Sequence, residues 1–173
     1  EGHFDHLLQK RWEHIYFGGK DLRLSTPIAP YSYKMIRAID FYSYYNTEIE
    51  KHQNVTRITD EVVAVNENQN GVSIEGKSGS YMGHKVFNSI FSYDIAHSQH
   101  KYPVLQQHFI GWFIRTETPV FNPHEATFMD FAIPQKGNTR FMYVLPFSEK
   151  EALFEYTLFS QNLLKKEEYE NAI

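Results

Sequence analysis

The chain has 173 residues, a formal net charge of −4 at pH 7 and no cysteine, enough for one domain or two small lobes. The missing cysteine excludes disulfides, thiolate metal sites and a cysteine nucleophile, and is compatible with a reducing cytoplasm. Because no long basic run occurs and no apolar stretch reaches the roughly 20 residues of a spanning helix, we predict neither nucleic-acid binding nor a transmembrane segment.

The first part of the chain is predicted to mix short strands with one helix. Strands are expected at 12–17, 22–24 and 31–36, with a turn over 18–21. A helix is predicted from Asp40, as its N-cap, to Lys51, because apolar residues recur at helical spacing through Ile49.

The middle of the chain is predicted to hold further short strands, at 55–58, 61–66, 72–75 and 84–90. Asn70-Gly71 is a strong hairpin signal between the second and third of them. The polar, glycine-containing stretch 76–83 is expected to be a connection, and 93–102 a surface loop.

From residue 105 onward the two-residue alternation of a sheet becomes long and clear. It predicts four strands, at roughly 107–116, 126–133, 139–147 and 152–160, joined as an antiparallel meander. A helical pattern follows over 163–172. The expected fold class is therefore α+β, with a mostly antiparallel sheet to which both ends of the chain contribute.

Two carboxylates, Asp130 and Glu155, lie inside these aromatic-rich strands. A carboxylate is costly to bury without a partner, so both are candidates for acid–base chemistry on an apolar substrate. Alternation does not decide whether they share a face of the sheet. The alternative for Glu155 is exposure or pairing with a basic residue, and for Asp130 it is capping of the hairpin or a hydrogen bond to a backbone N–H. Arg140 could pair with either acid.

Several segments, in this order and spacing, resemble the lycopene β-cyclase family of carotenoid biosynthesis. They run over nearly the whole chain: YKMIRAIDFY at 33–42, KVFNS at 85–89, QHFIGWFIRT at 107–116, VFNP at 120–123, ATFMDF at 126–131, RFMYVLPFS at 140–148 and Phe154-Glu155-Tyr156-Thr157.

The resemblance implies a flavoprotein with an FAD/NAD(P)-binding-type domain and an antiparallel substrate domain. Residues 1–37 would begin the substrate domain, 38–94 would belong to the flavin-binding lobe, and 95–173 would form the substrate-domain sheet and the start of a following helix. The chain begins without Met and has no Gly-x-Gly-x-x-Gly motif. We therefore expect a central fragment that binds little FAD and is inactive alone.

The activity implied by the resemblance is closure of the acyclic ends of lycopene into β-ionone rings, initiated by a proton and requiring reduced FAD. Glu155 matches the first carboxylate of an acidic family motif whose second position is Tyr156 here. Glu155 would be the general acid or proton relay, and Asp130 its partner or orienting carboxylate. Aromatic residues would line the substrate and stabilise a carbocation: Phe128, Phe131, Phe141, Tyr143, Phe147, Phe154 and Tyr156.

Two other functions stay open at this point. One is a related flavoprotein monooxygenase or epoxidase, and the other is a non-catalytic carotenoid or lipid binder. An apolar polyene substrate would imply cytoplasmic protein in peripheral contact with a membrane. The pairs His3/His6 and His97/His100 have helical spacing but no obvious third ligand, so no metal site is predicted.

Overall fold

A computed structural model describes residues 2–69, 71–91, 93–98, 101–102 and 104–173. The chain divides into two compact units, Glu1–Ser43 with Lys101–Ile173, and Tyr44–His100. The strands, in chain order, are β1 Leu8–Trp12, β2 His14–Gly18, β3 Arg23–Pro27, β4 Tyr33–Ile36, β5 Val62–Asn68, β6 Gly71–Gly76, β7 Ser80–Gly83, β8 Gln106–Arg115, β9 Glu125–Asp130, β10 Thr139–Pro146 and β11 Glu151–Ser160. The helices are α1 Ala38–Glu50, α2 Tyr93–Ser98 and α3 Lys166–Glu170.

A six-stranded sheet in the order β3-β2-β9-β10-β11-β8 is the centre of the first unit. Every neighbouring pair is antiparallel except β2 and β9, which run parallel. Strands β1 and β4 form a separate antiparallel pair. The predicted α+β class is thus confirmed, as is the contribution of both chain ends to a mostly antiparallel sheet.

The predicted meander is only partly correct, because β8 lies beside β11 and not beside β9. The segment after β8 follows the β10–β11 turn, where the backbone N–H groups of Val120 and Phe121 donate to the Glu149 carbonyl at 2.8 and 3.0 Å. This path carries the chain around the end of the hairpin, so β9 begins on the far side of β10. There β9 pairs with β2.

The two faces of this sheet are covered by different elements. On one face Trp12 of β1 packs with Ala126, Leu145 and Leu153. On the other face Tyr169 of α3 closes a second cluster, whose other buried members are Met142, Tyr156 and Leu158. Alternation along β10 and β11 produces this division, since successive side chains point to opposite faces of a strand.

The second unit contains a three-stranded antiparallel sheet in the order β5-β6-β7. The Asp60 carboxylate supports it by accepting hydrogen bonds from the Ser78 backbone N–H at 3.0 Å and the Tyr81 hydroxyl at 2.8 Å. Strands β5 and β6 form the predicted hairpin, although Asn70 of its turn lies outside the described residues.

Several local predictions are wrong in ways that backbone bonding explains. Helix α1 begins at Ala38, so Asp40 is not its N-cap; its carboxylate pairs with Arg37 at 2.5 Å instead. Strand β9 ends at Asp130, whose Oδ1 accepts a hydrogen bond from the Ala132 N–H at 2.9 Å and turns the chain. The expected strands at 55–58 and 84–90 are irregular, whereas β7 and α2 occupy the predicted connection and loop.

Candidate active site

Glu155 lies in the middle of β11, within one row of residues that crosses three strands. Its register partner on β10 is Tyr143, and its partner on β8 is Gly111. The side chain is half-buried and makes no hydrogen bond or ion pair with the described part of the chain. Burial without a polar partner raises the pKa of the Glu155 carboxyl above its ordinary value.

Tyr33 of β4 joins this row from the two-stranded sheet. Its ring packs edge-on against Phe128 at a centroid distance of 5.5 Å, and Phe128 packs edge-on against Tyr143 at 6.1 Å. Burial, followed by the Tyr143 and Glu155 charges, raises the pKa of Tyr33. Burial and Glu155 likewise raise the pKa of Tyr143. Both phenols therefore stay neutral beside the carboxyl.

Aromatic rings continue along the same face on both sides of Glu155. Phe141 contacts Tyr143 at 5.2 Å and Phe131 at 5.3 Å between ring centroids. Towards the other end of the sheet, Phe147 stacks on Phe113 at 5.9 Å. We call the face that carries Glu155, Tyr143 and these rings the acid face.

The remaining predicted lining residues, Phe154 and Tyr156, point to the opposite face, because they alternate with Glu155 along β11. Tyr156 is only 2% exposed and its hydroxyl accepts a hydrogen bond from Arg140 Nη1 at 2.9 Å. The same Arg140 nitrogen is 2.9 Å from Glu168 Oε1 of α3. Tyr156 therefore connects the sheet to α3, and a substrate role for it remains only a prediction.

Asp130 is not brought together with Glu155. Its register partner on β10 is Met142, which itself pairs with Tyr156. Directly opposed residues of an antiparallel pair share a face, so Asp130 belongs to the face opposite Glu155. Its carboxylate lies over Gly18, where a side chain of any size would meet it. The arrangement gives Asp130 local contacts on that face, and its role as a partner of Glu155 stays a prediction.

Sequence reasoning did not identify Tyr33 or Gly111 as parts of the site. Tyr33 comes from a different sheet, and no pattern within β4 indicates that it reaches Glu155. Gly111 carried a weak signal, since a glycine inside a strand marks a place where another group approaches closely.

No three His, Asp or Glu side chains are close enough to hold a metal ion among the residues that the structure describes. His100 and the side chain of His97 lie outside those residues. None of the described helices is both long and apolar enough to cross a membrane.

The chain matches the lycopene cyclase protein family over residues 2–173. The chain belongs to the lycopene cyclase family. No curated protein matches it. Family membership confirms the resemblance seen in the sequence and indicates a carotenoid cyclase-type function, with a polyene carotenoid as the class of substrate.

In the described part of this lycopene cyclase family chain, the junction between β4 and α1 does not fit a flavin dinucleotide. A dinucleotide site needs a glycine-rich turn between a strand and a helix N-terminus, where backbone N–H groups meet the pyrophosphate. Helix α1 follows β4 directly, with Arg37 between them and no glycine, and the Arg37–Asp40 ion pair occupies its first turn.

Proposed function

We propose that the chain carries the acid of a lycopene β-cyclase, which closes the acyclic ends of lycopene into β-ionone rings without net oxidation or reduction. The observation that carries this proposal is Glu155, a carboxyl held in an aromatic-lined face without a polar partner in the described chain. Burial favours its protonated form, and protonating an alkene requires an acid of this kind in a dry site.

In the proposed reaction, Glu155 transfers its proton to the terminal carbon–carbon double bond of lycopene. The resulting carbocation is attacked by a neighbouring double bond of the same molecule, which forms the ring. Loss of a proton from the ring to a base then sets the ring double bond. One proton enters and one leaves for each ring, so the product is an isomer of the substrate.

The aromatic rings of the acid face support this reaction in two ways. Their π faces attract a carbocation by on the order of 1–2 kcal/mol per ring when water is absent. They also lack a nucleophile that would trap the cation. Tyr143 and Tyr33, with raised pKa values, present neutral phenols and not phenolates to it. We assign no step to Asp130, because it belongs to the opposite face.

The requirement for reduced FAD is a separate proposal, supported by the resemblance to the lycopene β-cyclase family. We propose that the flavin is held by residues outside this chain. Purified chain is then expected to show no flavin absorbance after incubation with FAD and gel filtration. Stoichiometric retention of FAD would contradict this.

Peripheral membrane contact is proposed from the substrate, since a long polyene partitions into lipid. Co-sedimentation of the protein with lipid vesicles tests it, and a protein that remains in the supernatant at every lipid concentration would contradict it.

The test of the proposed function is to express the complete gene in cells grown in H2O and to give an extract of those cells preformed, unlabelled lycopene in D2O buffer. Conversion of red lycopene to yellow β-carotene is expected, with one solvent-derived hydrogen incorporated per ring. A monooxygenase or epoxidase would instead add oxygen to the pigment, and a carotenoid binder would leave lycopene unchanged. Either result would contradict the proposal.

A further inference from the structure

Gly111 occupies an unusual position for a glycine, in the middle of the ten-residue strand β8 between Ile110 and Trp112. Glycine in a strand interior is destabilising relative to alanine, because it loses more backbone freedom on folding. Its φ is not positive, since the described glycines with a positive φ are Gly71 and Gly137. The backbone therefore does not require glycine at this position, and the reason for it must lie in the space above the strand.

The space above Gly111 is filled by Glu155. A Cβ atom at residue 111 would lie 3.1 Å from Glu155 Cγ, 3.3 Å from Leu153 Cδ1 and 3.4 Å from the Phe154 carbonyl oxygen. Carbon atoms pack best at about 3.5–4.0 Å, so a methyl group at this position would force the Glu155 side chain to move.

The neighbours of Gly111 on the same face of β8 are both large. Phe109 and Phe113 are 58% and 75% exposed, and they pair with Thr157 and Leu153 of β11. Between these two rings residue 111 has no side chain, and the Glu155 side chain occupies that position.

We infer that Gly111 is a positioning residue for Glu155: because residue 111 has no side chain, the Glu155 side chain occupies the space above β8 that a larger residue would take. The catalytic consequence rests on the proposed function, whereas the placement of Glu155 does not. The groups that face Glu155 from the other strands are the phenols of Tyr143 and Tyr33, which remain when Gly111 is changed.

The inference is tested with Gly111→Ala and with Gly79→Ala as the matched control. Residue 79 offers the added methyl only an ordinary contact, with the Tyr81 hydroxyl at 3.7 Å. In the complete protein, Gly111→Ala is expected to reduce lycopene cyclisation at least about tenfold, because a small misplacement of a reacting group costs that much or more. Gly79→Ala is expected to match the wild type.

A second readout needs no activity. The pKa of Glu155 is measured by carbon-13 NMR in the 173-residue chain, assigned by its loss in Glu155→Gln. The methyl group of Gly111→Ala adds apolar surface against the Glu155 side chain and excludes water from it, so the pKa of Glu155 should rise further. Chemical denaturation of each variant checks that it is folded. If Gly111→Ala is not folded, the double variant Gly111→Ala/Leu153→Val serves, because it removes the Leu153 Cδ1 contact with the added methyl group.

The outcomes separate this inference from the proposed function. A raised Glu155 pKa in Gly111→Ala together with full activity of Glu155→Gln would keep the positioning role and reject the proposed acid. The positioning role would be overturned if Gly111→Ala had normal activity and an unchanged or lower Glu155 pKa. If Glu155→Gln were inactive in the same experiment, the assignment of Glu155 as the acid would stand.

Discussion

At the residue scale, the adjacent residues Glu155 and Tyr156 of β11 point to opposite faces of the sheet and have different proposed roles. Glu155 points to the acid face without a polar partner in the described chain, whereas Tyr156 points to the opposite face and binds buried Arg140. Tyr156, although adjacent to Glu155 in sequence, thus lies on the face of the sheet that a substrate bound at Glu155 would not contact. The distinction can be tested separately for each residue.

Removing the Tyr156 hydroxyl should affect stability and not activity. Tyr156→Phe deletes the hydrogen bond to Arg140, and bonds to charged groups contribute about 1.5–3 kcal/mol. We expect a loss of roughly 1–2 kcal/mol in the free energy of unfolding, measured by urea denaturation of the chain. In the complete protein the variant should still cyclise lycopene. Loss of cyclisation at unchanged stability would show that the hydroxyl serves the reaction.

The raised pKa of Glu155 also predicts how stability depends on pH. Between the ordinary glutamate pKa of about 4.3 and its raised value, the folded chain binds more protons at Glu155 than the unfolded chain does. The contribution of this group to stability is therefore present at low pH and lost as pH rises through the raised pKa.

Glu155→Gln removes that dependence, so its free energy of unfolding should increase relative to the wild type as pH rises above about 4. Urea denaturation of both proteins from about pH 3.5 to about pH 8 measures the difference between their free energies of unfolding. This range includes the ordinary pKa of glutamate. If the difference in the free energy of unfolding stays constant with pH, or grows in favour of the wild type, the claim that burial raises the pKa of Glu155 is contradicted.

At the scale of elements, the β1–β4 pair is attached to the six-stranded sheet through Trp12. This side chain is 1% exposed, and its Nε1–H donates to the Pro146 carbonyl at 3.1 Å. Tyr33 of β4 contacts both Trp12, at 5.9 Å between ring centroids, and Phe128. The attachment of β1 therefore also sets the place of Tyr33 beside Glu155.

Truncating Trp12 should destabilise the first unit strongly. Trp12→Ala is expected to cost about 3–5 kcal/mol, and Trp12→Phe less, because it keeps most of the packing while losing the hydrogen bond. Thermal or urea denaturation measures both. Tyr31→Ala is the control, since this ring is 78% exposed and its truncation should change stability by less than about 0.5 kcal/mol. Equal effects at both positions would contradict the proposed attachment.

The sequence predicted the long C-terminal strands well because each is rich in apolar and aromatic residues and is bounded by polar turns. It did not predict that β8 joins β11, since that order depends on hydrogen bonds between 120–121 and Glu149, which no local pattern encodes. Glu155 was identified from its apolar neighbours. Tyr33 and Gly111 were not, because they come near Glu155 only when three strands and a second sheet come together.

At the scale of the whole molecule, the two units differ in burial. Strand β11 is hydrogen-bonded on both sides, to β10 and β8, and contains Thr157 and Leu158, which are fully buried. In the second unit, none of the residues with described side chains is buried. Stability should therefore be unevenly distributed along the chain.

Hydrogen exchange followed by mass spectrometry measures that distribution. Peptides from β10 and β11 should exchange at least about tenfold more slowly than peptides from β5, β6 and β7, because the latter open without exposing a core. Equal protection of both groups would indicate that the two units unfold as one.

The most direct test of the central claim is the amount of lycopene cyclised by Glu155→Gln, compared with Tyr156→Phe, in lycopene-accumulating cells that contain equal amounts of each protein. Glutamine keeps the size of the side chain but has no proton to give, so the predicted loss is at least about a hundredfold, with red pigment retained. Tyr156→Phe should produce yellow β-carotene. A Glu155→Gln protein that cyclises lycopene as the wild type does would contradict the assignment of Glu155 as the acid.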